Sequence, residues 1–535
     1  TVWPAYPQYN KYRYTNLSFF SRVNYAFADK YLLSLNVRHD GASKFAEDRR
    51  WGTFPGGSIA WRAKKEKFLQ NVDFINDLKF RVGYGKIGNN RIADYLYLTT
   101  FNYGNTYYAL NNQIVSAYTQ NALANQSLQW ESLVNRNYGM DLSLFRGRLD
   151  LSLDIYNNTS DKLLLNAKIA PTYGFTSQLQ NVGATSNKGV ELQMNGIIMR
   201  KPHGLNWSAN FNISHNKNTV EALALGQTEF PAGPAWGISG QPNDYLVRIG
   251  SPVGSMYGWI NDGFYKVEDF NYDAVTTKYT LKTGVAEMKV PSSNVVPGAI
   301  RFKDISGPNG TPDGIINDFD KTIIGNPTPK FSGGLNQQFN YKNWDASVFV
   351  NFSYGNDVYN ANKIEFTSAY NVTSNLLDVM TNRWKTVDAS GNVIETFKLE
   401  SGKVYAYGAA PEALAKANAN ATIWMPGGFN SNGGAAFGSG GGNFSYYPHS
   451  WAIEDGSFLR LNNVTIGYSL PVGSLTKYHV SKLRLYVTGN NLAILTNYTG
   501  YDPEVSVSNN GLTPGLDYSA YPKSRLYLFG VQATF

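Results

Sequence analysis

Apolar and polar side chains alternate along much of this chain with a period of two. In residues 148–156, leucine or isoleucine fills every second position from 149 to 155, and polar residues stand between them. Successive side chains of a β-strand point to opposite faces, so this pattern predicts a strand with one apolar and one polar face. Residues 138–144 alternate in the same way, and only residues 145–148 separate the two segments, which predicts a tight hairpin.

The alternation recurs in roughly 14 to 16 segments of about ten residues, the length that a tilted strand needs to cross a bilayer. A β-sandwich also alternates, but its strands are usually shorter, and here aromatic residues crowd the strand ends as in the girdles of a membrane barrel. The pattern therefore predicts an all-β chain that forms a transmembrane antiparallel β-barrel. Its apolar positions include Leu33, Leu35, Val37, Trp207, Ala209, Phe211, Ile213, Trp344, Ala346, Val348, Val350, Phe352, Leu483, Leu485 and Val487.

Short and long connections alternate along the chain between the predicted strands. Residues 28–30, 146–147 and 342–343 form short links, and long polar stretches occupy every second junction. Short turns on one rim and long loops on the other are typical of an outer-membrane barrel. No fixed repeat is found, which argues against a solenoid or a propeller. We therefore interpret 1–535 as one barrel section with long extracellular loop insertions near 87–130, 159–186, 216–331 and 355–456.

The chain ends in a segment with one apolar face. Tyr527, Phe529, Val531, Ala533 and Phe535 share that face, and the last residue is aromatic. Such a final strand resembles the signal that outer-membrane assembly machinery reads, whereas in a soluble protein it would be an exposed, aggregation-prone edge. We therefore predict that these five residues form an assembly signal strand.

The composition excludes several other classes of protein. Charged residues make up 16% of the chain and aromatic residues 14%, and cysteine is absent, whereas an average globular domain has about 25% charged residues. A disulfide scaffold, a thiolate metal site and a cysteine nucleophile are thereby excluded. The formal net charge is +8, but the basic residues do not cluster, so we do not expect a nucleic-acid partner.

Six motifs spread along the chain carry a resemblance to a known family. Taken together, they resemble SusC/RagA-type TonB-dependent outer-membrane transporters. The resemblance implies the C-terminal portion of a barrel of about 22 strands with a plugged lumen. The motifs are GKIGNN at 85–90, IGNPTPK at 324–330, EDGSFLRLNNVTIGYSLP at 454–471, GNNL at 489–492, GYDPE at 500–504 and YPKSR at 521–525.

The resemblance also implies a function and partners. It implies TonB-energised import of a large nutrient, a glycan or oligosaccharide or an oligopeptide, through the outer membrane of a Gram-negative bacterium. A SusD-like surface lipoprotein would close the mouth as a lid, and two such pairs would form a dimer in contact with outer-membrane lipids. The TonB complex would act through an N-terminal region, because the family's signal peptide, TonB box, plug and first strands are not found in this sequence.

Two other functions remain open from the residues. One is a siderophore or cobalamin receptor of the TonB-dependent kind, which needs no lipoprotein lid. The other is a surface adhesin or scaffold barrel that transports nothing, which would lack a plug and a TonB box. Neither alternative changes the predicted fold.

The sequence offers no convincing enzymatic motif. Gly83, Gly85 and Gly88 fit G-x-G-x-x-G, but no helical pattern follows, so we interpret them as a strand end that enters a loop. The five histidines are scattered, and no G-x-S-x-G elbow is found. We therefore predict no catalytic residues, no enzyme activity and no required cofactor.

One loop has the spacing of a calcium site. Its oxygen donors fall at the positions of a calcium-binding loop, with Gly314 at the sharp turn, but the first two donors are not carboxylates. The alternative is a metal-free turn rich in Asn and Asp. The candidate Ca²⁺ ligands are Asn309, Thr311, Asp313, Ile315 (carbonyl), Asn317 and Asp320.

Aromatic residues are frequent in the long loops. They could stack on sugar rings or peptide side chains, or they could pack within the loops or against a lid protein. The sequence alone does not single out a substrate-binding residue. The residues in question are Tyr103, Tyr107, Tyr108, Trp236, Trp259, Tyr359, Trp384, Trp424, Tyr446, Tyr447 and Trp451.

Overall fold

One antiparallel sheet of 13 strands, the main sheet, dominates the computed structural model. Each strand pairs with the next one along the chain, so the sheet is an up-and-down meander. The structure describes residues 13–224, 226–236, 241–290, 295–368, 375–426, 428–429, 435–436, 446–471, 473 and 479–535. The strands are β1 Asn16–Phe27, β2 Tyr31–Ala42, β3 Trp51–Arg62, β4 Ile75–Asn89, β5 Glu131–Leu144, β6 Leu149–Lys168, β7 Ser177–Arg200, β8 Leu205–Ala222, β9 Phe331–Tyr341, β10 Trp344–Tyr354, β11 Phe458–Ser469, β12 Lys482–Thr496 and β13 Leu526–Thr534.

The connections contain short helices and strands of their own. The helices are α1 Lys67–Gln70, α2 Ala361–Ser368 and α3 Pro411–Ala417, with 3-10 turns at Glu47–Arg49, Ala63–Lys65, Pro171–Tyr173, Val267–Asp269, Asp318–Asp320, Asp378–Asn382 and Ser450–Ala452. Among the described residues, no helix is long and apolar enough to cross a membrane. The short strands are Phe101–Leu110, Gln113–Gln120, Glu229–Ala232, Tyr245–Arg248, Ser255–Gly258, Asn261–Phe264, Phe270–Asp273, Lys278–Leu281, Glu287–Met288, Ile300–Phe302, Ile315–Ile316, Thr322–Gly325, Asp357–Asn360, Glu395–Glu400, Lys403–Gly408, Gly428–Phe429, Ala435–Ala436, Ile453–Asp455 and Leu516–Asp517.

The strand register confirms the two faces that the alternation predicts. Side chains that sit opposite each other on neighbouring strands share a face, so each face can be followed across the sheet as a row. The apolar row from β4 to β11 runs through Leu78, Leu142, Leu151, Met194, Phe211, Leu335, Val350 and Leu461. The row one residue away is polar, with Lys79, Asp141, Ser152, Gln193, Asn212, Gly334, Asn351 and Arg460.

The short links are tight turns, and they define the short-turn rim of the sheet. Ala28 and Asp29 have φ of 52° and 54°, and Phe145 and Arg146 have φ of 55° and 60°. Phe27 pairs with Tyr31 and Leu144 pairs with Leu149, so turns of three and four residues join these strands, which are common hairpin lengths. The predicted hairpin at 145–148 is therefore confirmed.

Of the predicted loop bounds, those near 159–186 differ most from the structure. Residues 159–168 and 177–186 belong to β6 and β7, which leaves only 169–176 as the connection. The ladder between these strands continues through Asn158 and Asn187 up to the pair Lys168 and Ser177. Where both faces of a strand meet water, the apolar-polar alternation disappears although the pairing continues.

The strand count of the main sheet also differs from the expectation. It has 13 strands, fewer than the roughly 14 to 16 segments counted from alternation. Strands also form outside it, as in the hairpin of 101–110 with 113–120, which is a separate two-stranded sheet. Alternation marks a strand but does not say which sheet the strand joins.

The main sheet is open within the described residues, with β1 and β13 at its two edges. On β13, Phe529 and Val531 lie opposite Val487 and Leu485 of β12 and are 81% and 68% exposed. The apolar face predicted for the last strand is therefore present. Its role in assembly stays a prediction.

The buried core lies in the long connections rather than in the sheet. The largest cluster joins residues 259–316 to residues 384–447 and contains Trp259, Tyr265, Phe302, Ile316 and Leu414. A second cluster joins Tyr245 and Tyr359 to Leu516 of the last long connection. The long loops therefore fold together into a body with its own core, which we call the loop body.

We expect Leu151→Arg to impair membrane assembly far more than Ser152→Arg. Leu151 belongs to the apolar row, where a charged side chain costs about 2–4 kcal/mol at the bilayer midplane. Ser152 belongs to the polar row and donates a hydrogen bond of 2.8 Å to Asp141, so an arginine there meets a carboxylate. The measurement is the fraction of full-length protein that becomes protease-resistant in outer membranes. Equal tolerance of both variants would contradict the assignment of the faces.

Candidate functional site

A cleft of about 420 Å³ opens on the polar face of β1 to β4, next to the rim that carries the long loops. Polar side chains from β1 and β2 form one wall, and the beginning and end of the 90–130 connection form the other. The cleft combines amides, charges and aromatic rings, the groups that hold and orient a polar ligand. It is lined by Asn16, Ser18, Asn36, Arg38, Asp40, Gly41, Phe54, Lys86, Ile87, Gly88, Asn90 and Trp130.

Glycines shape the aromatic side of this cleft. The ring of Phe54 lies edge-on to Trp130, with 5.4 Å between ring centroids, and Trp130 donates a hydrogen bond of 2.9 Å to the carbonyl of Arg50. A Cβ on Gly88 would lie 2.0 Å from Phe54 Cζ, and a Cβ on Gly52 would lie 2.5 Å from the same atom. Only glycine at these two positions lets the ring occupy this place.

This packing explains the G-x-G-x-x-G stretch. Gly83 and Gly85 lie inside β4, and a Cβ on either would meet no atom within 4 Å. Only Gly88 is needed for close packing, under the ring of Phe54. The stretch is a strand end that enters the 90–130 connection, as the sequence predicts.

The cations of the cleft differ in their partners. Arg38 Nε lies 2.7 Å from Asp40 Oδ1, and Arg38 Nη2 donates a hydrogen bond of 3.3 Å to Ser18. The guanidinium is about half exposed, so it offers further N–H groups to a ligand. Among the described residues, no carboxylate lies within ion-pair distance of Lys86.

Below the cleft, ion pairs line the polar face of the sheet. Arg81 contacts Asp141 at 2.9 Å and Asp154 at 3.1 Å, and Lys79 contacts Asp141 at 2.8 Å. A Cβ on Gly139 would lie 2.6 Å from Arg81 Cζ, so the arginine reaches its partners across a glycine. This face is a hydrated, charged wall rather than an apolar core.

A buried ion cluster fastens the last long connection to the wall. Arg460 of β11 is 3% exposed, and it contacts Asp502 at 2.7 Å and Glu504 at 3.0 Å. Lys523 contacts the same two carboxylates, and Asn491 accepts a hydrogen bond from Arg460. Sequence reasoning missed this cluster, although all five residues lie in motifs that carry the family resemblance.

The structure separates the described aromatic residues of the loops into three sets by exposure. Tyr107 and Tyr108, on the hairpin of 101–110 with 113–120, are largely exposed. The side chain of Tyr103 lies outside the described residues. Tyr446 and Trp451 are partly buried. For the third set, packing within the loops is the correct alternative, because all of its members are buried: Trp236, Trp259, Tyr359, Trp384, Trp424 and Tyr447.

The candidate calcium loop is held by backbone amides. Both carboxylate oxygens of Asp320 accept backbone N–H groups, from Ile305, Ser306 and Asn317, at 2.7–3.1 Å. Asp313 accepts the N–H of Ile315 at 2.9 Å. Within the described residues, no three acidic or histidine side chains are close enough to share a metal ion. The geometry is that of an Asn- and Asp-rich turn, and a calcium site here stays a prediction.

Burial strongly shifts the pKa of three side chains in the long connections, Glu395, Asp244 and His449. Burial raises the pKa of Glu395 from 4.5 to about 8, although Trp384 Nε1 donates a hydrogen bond of 2.8 Å to the carboxylate. Burial raises the pKa of Asp244 to about 7, against the effect of the N–H of Ala235. Burial and the nearby Lys363 lower the pKa of His449 to about 3.

Comparison with known proteins decides the family. The sequence model described as TonB dependent receptor-like, beta-barrel, matches residues 1–405. The chain belongs to this TonB-dependent receptor family. Members of the family are outer-membrane receptors and transporters rather than enzymes. The main sheet therefore lies in the outer membrane, with its apolar face toward lipid and its polar face toward the lumen.

Individual relatives agree with this assignment. TonB-dependent receptor P3 of Formosa agariphila is 30% identical over 525 residues, which are 97% of this chain and 45% of that protein. TonB-dependent receptor SusC of Bacteroides thetaiotaomicron is 28% identical over 529 residues, 98% of this chain and 44% of SusC. The chain spans about half the length of the curated relatives it matches.

A solved structure supports the fold. The structure of the RagAB peptide transporter matches with a TM-score of 0.70 at 22% identity, over 98% of this chain and 48% of that chain. At this level of identity the match shows that the two chains share the barrel architecture. It agrees with the up-and-down order of β1 to β13.

We expect Gly88→Ala to destabilise the protein and Gly85→Ala to leave it unchanged. The new methyl group at 88 would lie 2.0 Å from the Phe54 ring, whereas at 85 it would meet open space. Overpacking of this kind costs about 1–3 kcal/mol. The measurement is the thermal unfolding midpoint of the purified full-length protein, followed by circular dichroism. Equal midpoints for the two variants would contradict the packing of Phe54 on Gly88.

We expect the loop body to lose stability between about pH 7 and pH 8.5, and Glu395→Gln to remove that loss. Burial raises the pKa of Glu395 from 4.5 to about 8 in the folded protein. The unfolded chain therefore loses this proton at lower pH than the folded protein does, and the free energy of unfolding falls as pH rises toward 8. The shifted pKa values of Asp244 and His449 change the free energy of unfolding below about pH 7. Urea unfolding followed by tryptophan fluorescence measures the effect, with the exposed Glu412→Gln as control. A pH dependence that survives in Glu395→Gln would refute this assignment.

Proposed function

We propose that this chain forms the wall of an outer-membrane importer for a large nutrient, a glycan, oligosaccharide or oligopeptide, energised by TonB. The observation that carries the proposal is a polar cleft at the extracellular rim in a relative of SusC. Cargo that enters from outside meets the cleft first. The charged wall below it, around Arg81 and Asp141, then keeps a hydrated path toward the periplasmic side.

We propose that a SusD-like lipoprotein covers the mouth. The loop body, with its own buried core, presents a preformed surface larger than barrel turns require. RagAB, which shares the barrel architecture of this chain, is a peptide transporter, and this agrees with import of a cargo as large as an oligopeptide. A dimer of transporter and lipoprotein pairs, and coupling to the TonB complex through another part of the full-length protein, complete the proposal.

The two open edges of the main sheet, β1 and β13, bear on how the barrel closes. In hydrocarbon, each unpaired backbone N–H or C=O group costs several kcal/mol. We propose that β1 and β13 pair with further strands, so that the sheet closes into a complete barrel.

Energised uptake tests the proposed import. In cells that carry the full-length protein, we expect accumulation of its cargo to stop when TonB is deleted, because the barrel has no energy source of its own. The measurement is uptake of fluorescent oligosaccharides and peptides, with ferric siderophore and cobalamin as comparison cargoes. Uptake of the comparison cargoes alone would favour a siderophore or cobalamin receptor. Surface binding without any uptake would favour an adhesin.

Co-purification tests the lid. Extraction in mild detergent followed by mass spectrometry should recover a surface lipoprotein in equal amount with the barrel. A barrel that comes out alone and still binds ligand tightly would contradict the lid.

We also propose that the apolar face of β13 acts as the assembly signal. Phe535→Ser or Phe529→Ser should lower the amount of folded protein in the outer membrane several-fold. Gln532→Ser, on the opposite face of the same strand, is the control. Immunoblots of outer-membrane fractions measure the outcome. Normal levels of both phenylalanine variants would contradict the proposal.

A further inference from the structure

Three successive turns on the short-turn rim carry cations and no anions. They join β5 to β6, β7 to β8 and β9 to β10, which are neighbours in the main sheet. Strands lie about 4.8 Å apart, so one turn follows the next after roughly 10 Å. Residues 145–148, 200–204 and 342–343 contain no Asp or Glu. Their five cations are all exposed, and we call them the cationic rim: Arg146, Arg148, Arg200, Lys201 and Lys342.

The cationic rim lacks the ion pairs that other cations of the sheet form. At the first turns of the same rim, Arg62 contacts Asp29 at 2.9 Å. Among the described residues, no carboxylate lies within ion-pair distance of the five cations. Asp150 stands beyond that distance, and Asp345 accepts a hydrogen bond of 2.8 Å from Arg484. The rim therefore holds a positive charge that the described part of the chain does not neutralise.

Arginine in this place can hold a phosphate. A guanidinium has five N–H donors in a planar fork that fits phosphate oxygens. Arg148 donates two of them, to the carbonyls of Ile197 and Ile198 at 3.4 and 3.1 Å. These two bonds hold the guanidinium at the end of β7 and leave further N–H groups for a ligand.

Exposed aromatic side chains lie beside the cations, on the lipid face of the sheet. Tyr341 and Trp344 pair across the hairpin of β9 and β10 and are 47% and 53% exposed. Lys342 Nζ lies 5.4 Å from the centre of the Tyr341 ring, and Phe145 precedes Arg146 in its turn. Aromatic girdles of barrels lie where acyl chains meet headgroups. The cationic rim, one step beyond such rings, therefore lies at the depth of headgroup phosphates.

Charge and position together select the partner. Outer-membrane barrels carry their short turns on the periplasmic side, where the leaflet consists of phospholipids. A zwitterionic headgroup brings its own cation, whereas an anionic headgroup has a net charge that Lys and Arg attract. The five cations follow the rim in a line, as the lipids around a barrel do. An acidic protein would instead have to settle beside rings that lie in the bilayer interface, so the observations favour a lipid.

We propose that the cationic rim binds anionic phospholipids of the periplasmic leaflet, of the phosphatidylglycerol and cardiolipin type, through their headgroup phosphates. The phosphates take the place that the carboxylate of Asp29 has beside Arg62 at the first turns. Bound lipids thereby hold this part of the barrel at a fixed depth. The inference rests on the place of the sheet in the membrane and does not depend on the cargo.

Native mass spectrometry of the purified full-length protein in detergent tests the binding. The probes are cardiolipin, phosphatidylglycerol, phosphatidylethanolamine and lipopolysaccharide, each titrated separately. The wild type should bind cardiolipin about tenfold more tightly than phosphatidylethanolamine. Each cation near an anionic surface contributes a factor of about five, so neutralisation of all five should remove most of this preference. The rim variant combines Arg146→Gln, Arg148→Gln, Arg200→Gln, Lys201→Gln and Lys342→Gln.

A matched control removes the same number of charges from the loop body. It should keep the preference of the wild type, because its lysines lie in the long connections rather than on the short-turn rim. The control variant combines Lys282→Gln, Lys303→Gln, Lys385→Gln, Lys398→Gln and Lys416→Gln, all at exposed positions.

Two more variants keep the test decisive. Exchange of every arginine of the cationic rim for lysine and every lysine for arginine keeps the charge and should keep most of the preference. Folding is checked by the gel mobility of unheated samples. If the rim variant does not fold, Arg146→Gln with Arg148→Gln, which changes one turn, should still weaken cardiolipin binding several-fold.

Four outcomes would overturn the inference. The first two are equal affinity of the wild type for cardiolipin and phosphatidylethanolamine, and an unchanged preference in the folded rim variant. The third is tighter binding of lipopolysaccharide that the rim variant loses, which would place the rim at the cell surface. The fourth is loss of a co-purifying protein from the rim variant while lipid binding stays the same. None of these measurements uses a cargo, so import is tested separately.

Discussion

The constraint on which this structure depends is that backbone groups inside a bilayer must pair with each other. Hydrocarbon offers no water to an unpaired N–H or C=O group, so a spanning sheet has to continue from strand to strand. The 13 strands pair in chain order from β1 to β13, which satisfies the backbone groups between them and leaves those at the two outer edges. Once that ladder is fixed, the period of two divides every strand between lipid and lumen, as the adjacent residues Leu151 and Ser152 illustrate.

The polar face of the main sheet carries the ion pairs that hold the wall and the last long connection in place. Arg81 and Lys79 are paired with carboxylates of β5 and β6, so this part of the wall is charged while its cations keep their counter-charges. Arg460 forms ion pairs of the same kind with a loop. Its buried guanidinium is compensated by Asp502 and Glu504 of the last long connection. Loss of Arg460 would leave Asp502 and Glu504 with Lys523 as their one counter-charge in the cluster, so this cluster fixes where the last connection returns to the sheet.

The loops turn the mouth into a structured surface. Aromatic residues such as Trp259 and Phe302 stack in the core of the loop body, with 5.6 Å between ring centroids, and so provide stability rather than ligand contact. Tyr107 and Tyr108, on the hairpin of 101–110 with 113–120, are by contrast largely exposed. Burial therefore divides the aromatic residues of the loops into those that stabilise the loop body and those that are available for binding.

The sequence by itself determined the all-β class, the two faces of each strand, the tight turn at 145–148 and the family, because these depend on local backbone geometry and on motifs within short windows. It did not determine the extent of β6 and β7, since alternation ends where both faces meet water. Nor could it show that Phe54 lies over Gly88, that Arg460 meets Asp502, or which loop aromatics are buried. Those contacts join residues far apart in the chain, and only the tertiary packing of strands and loops brings them together.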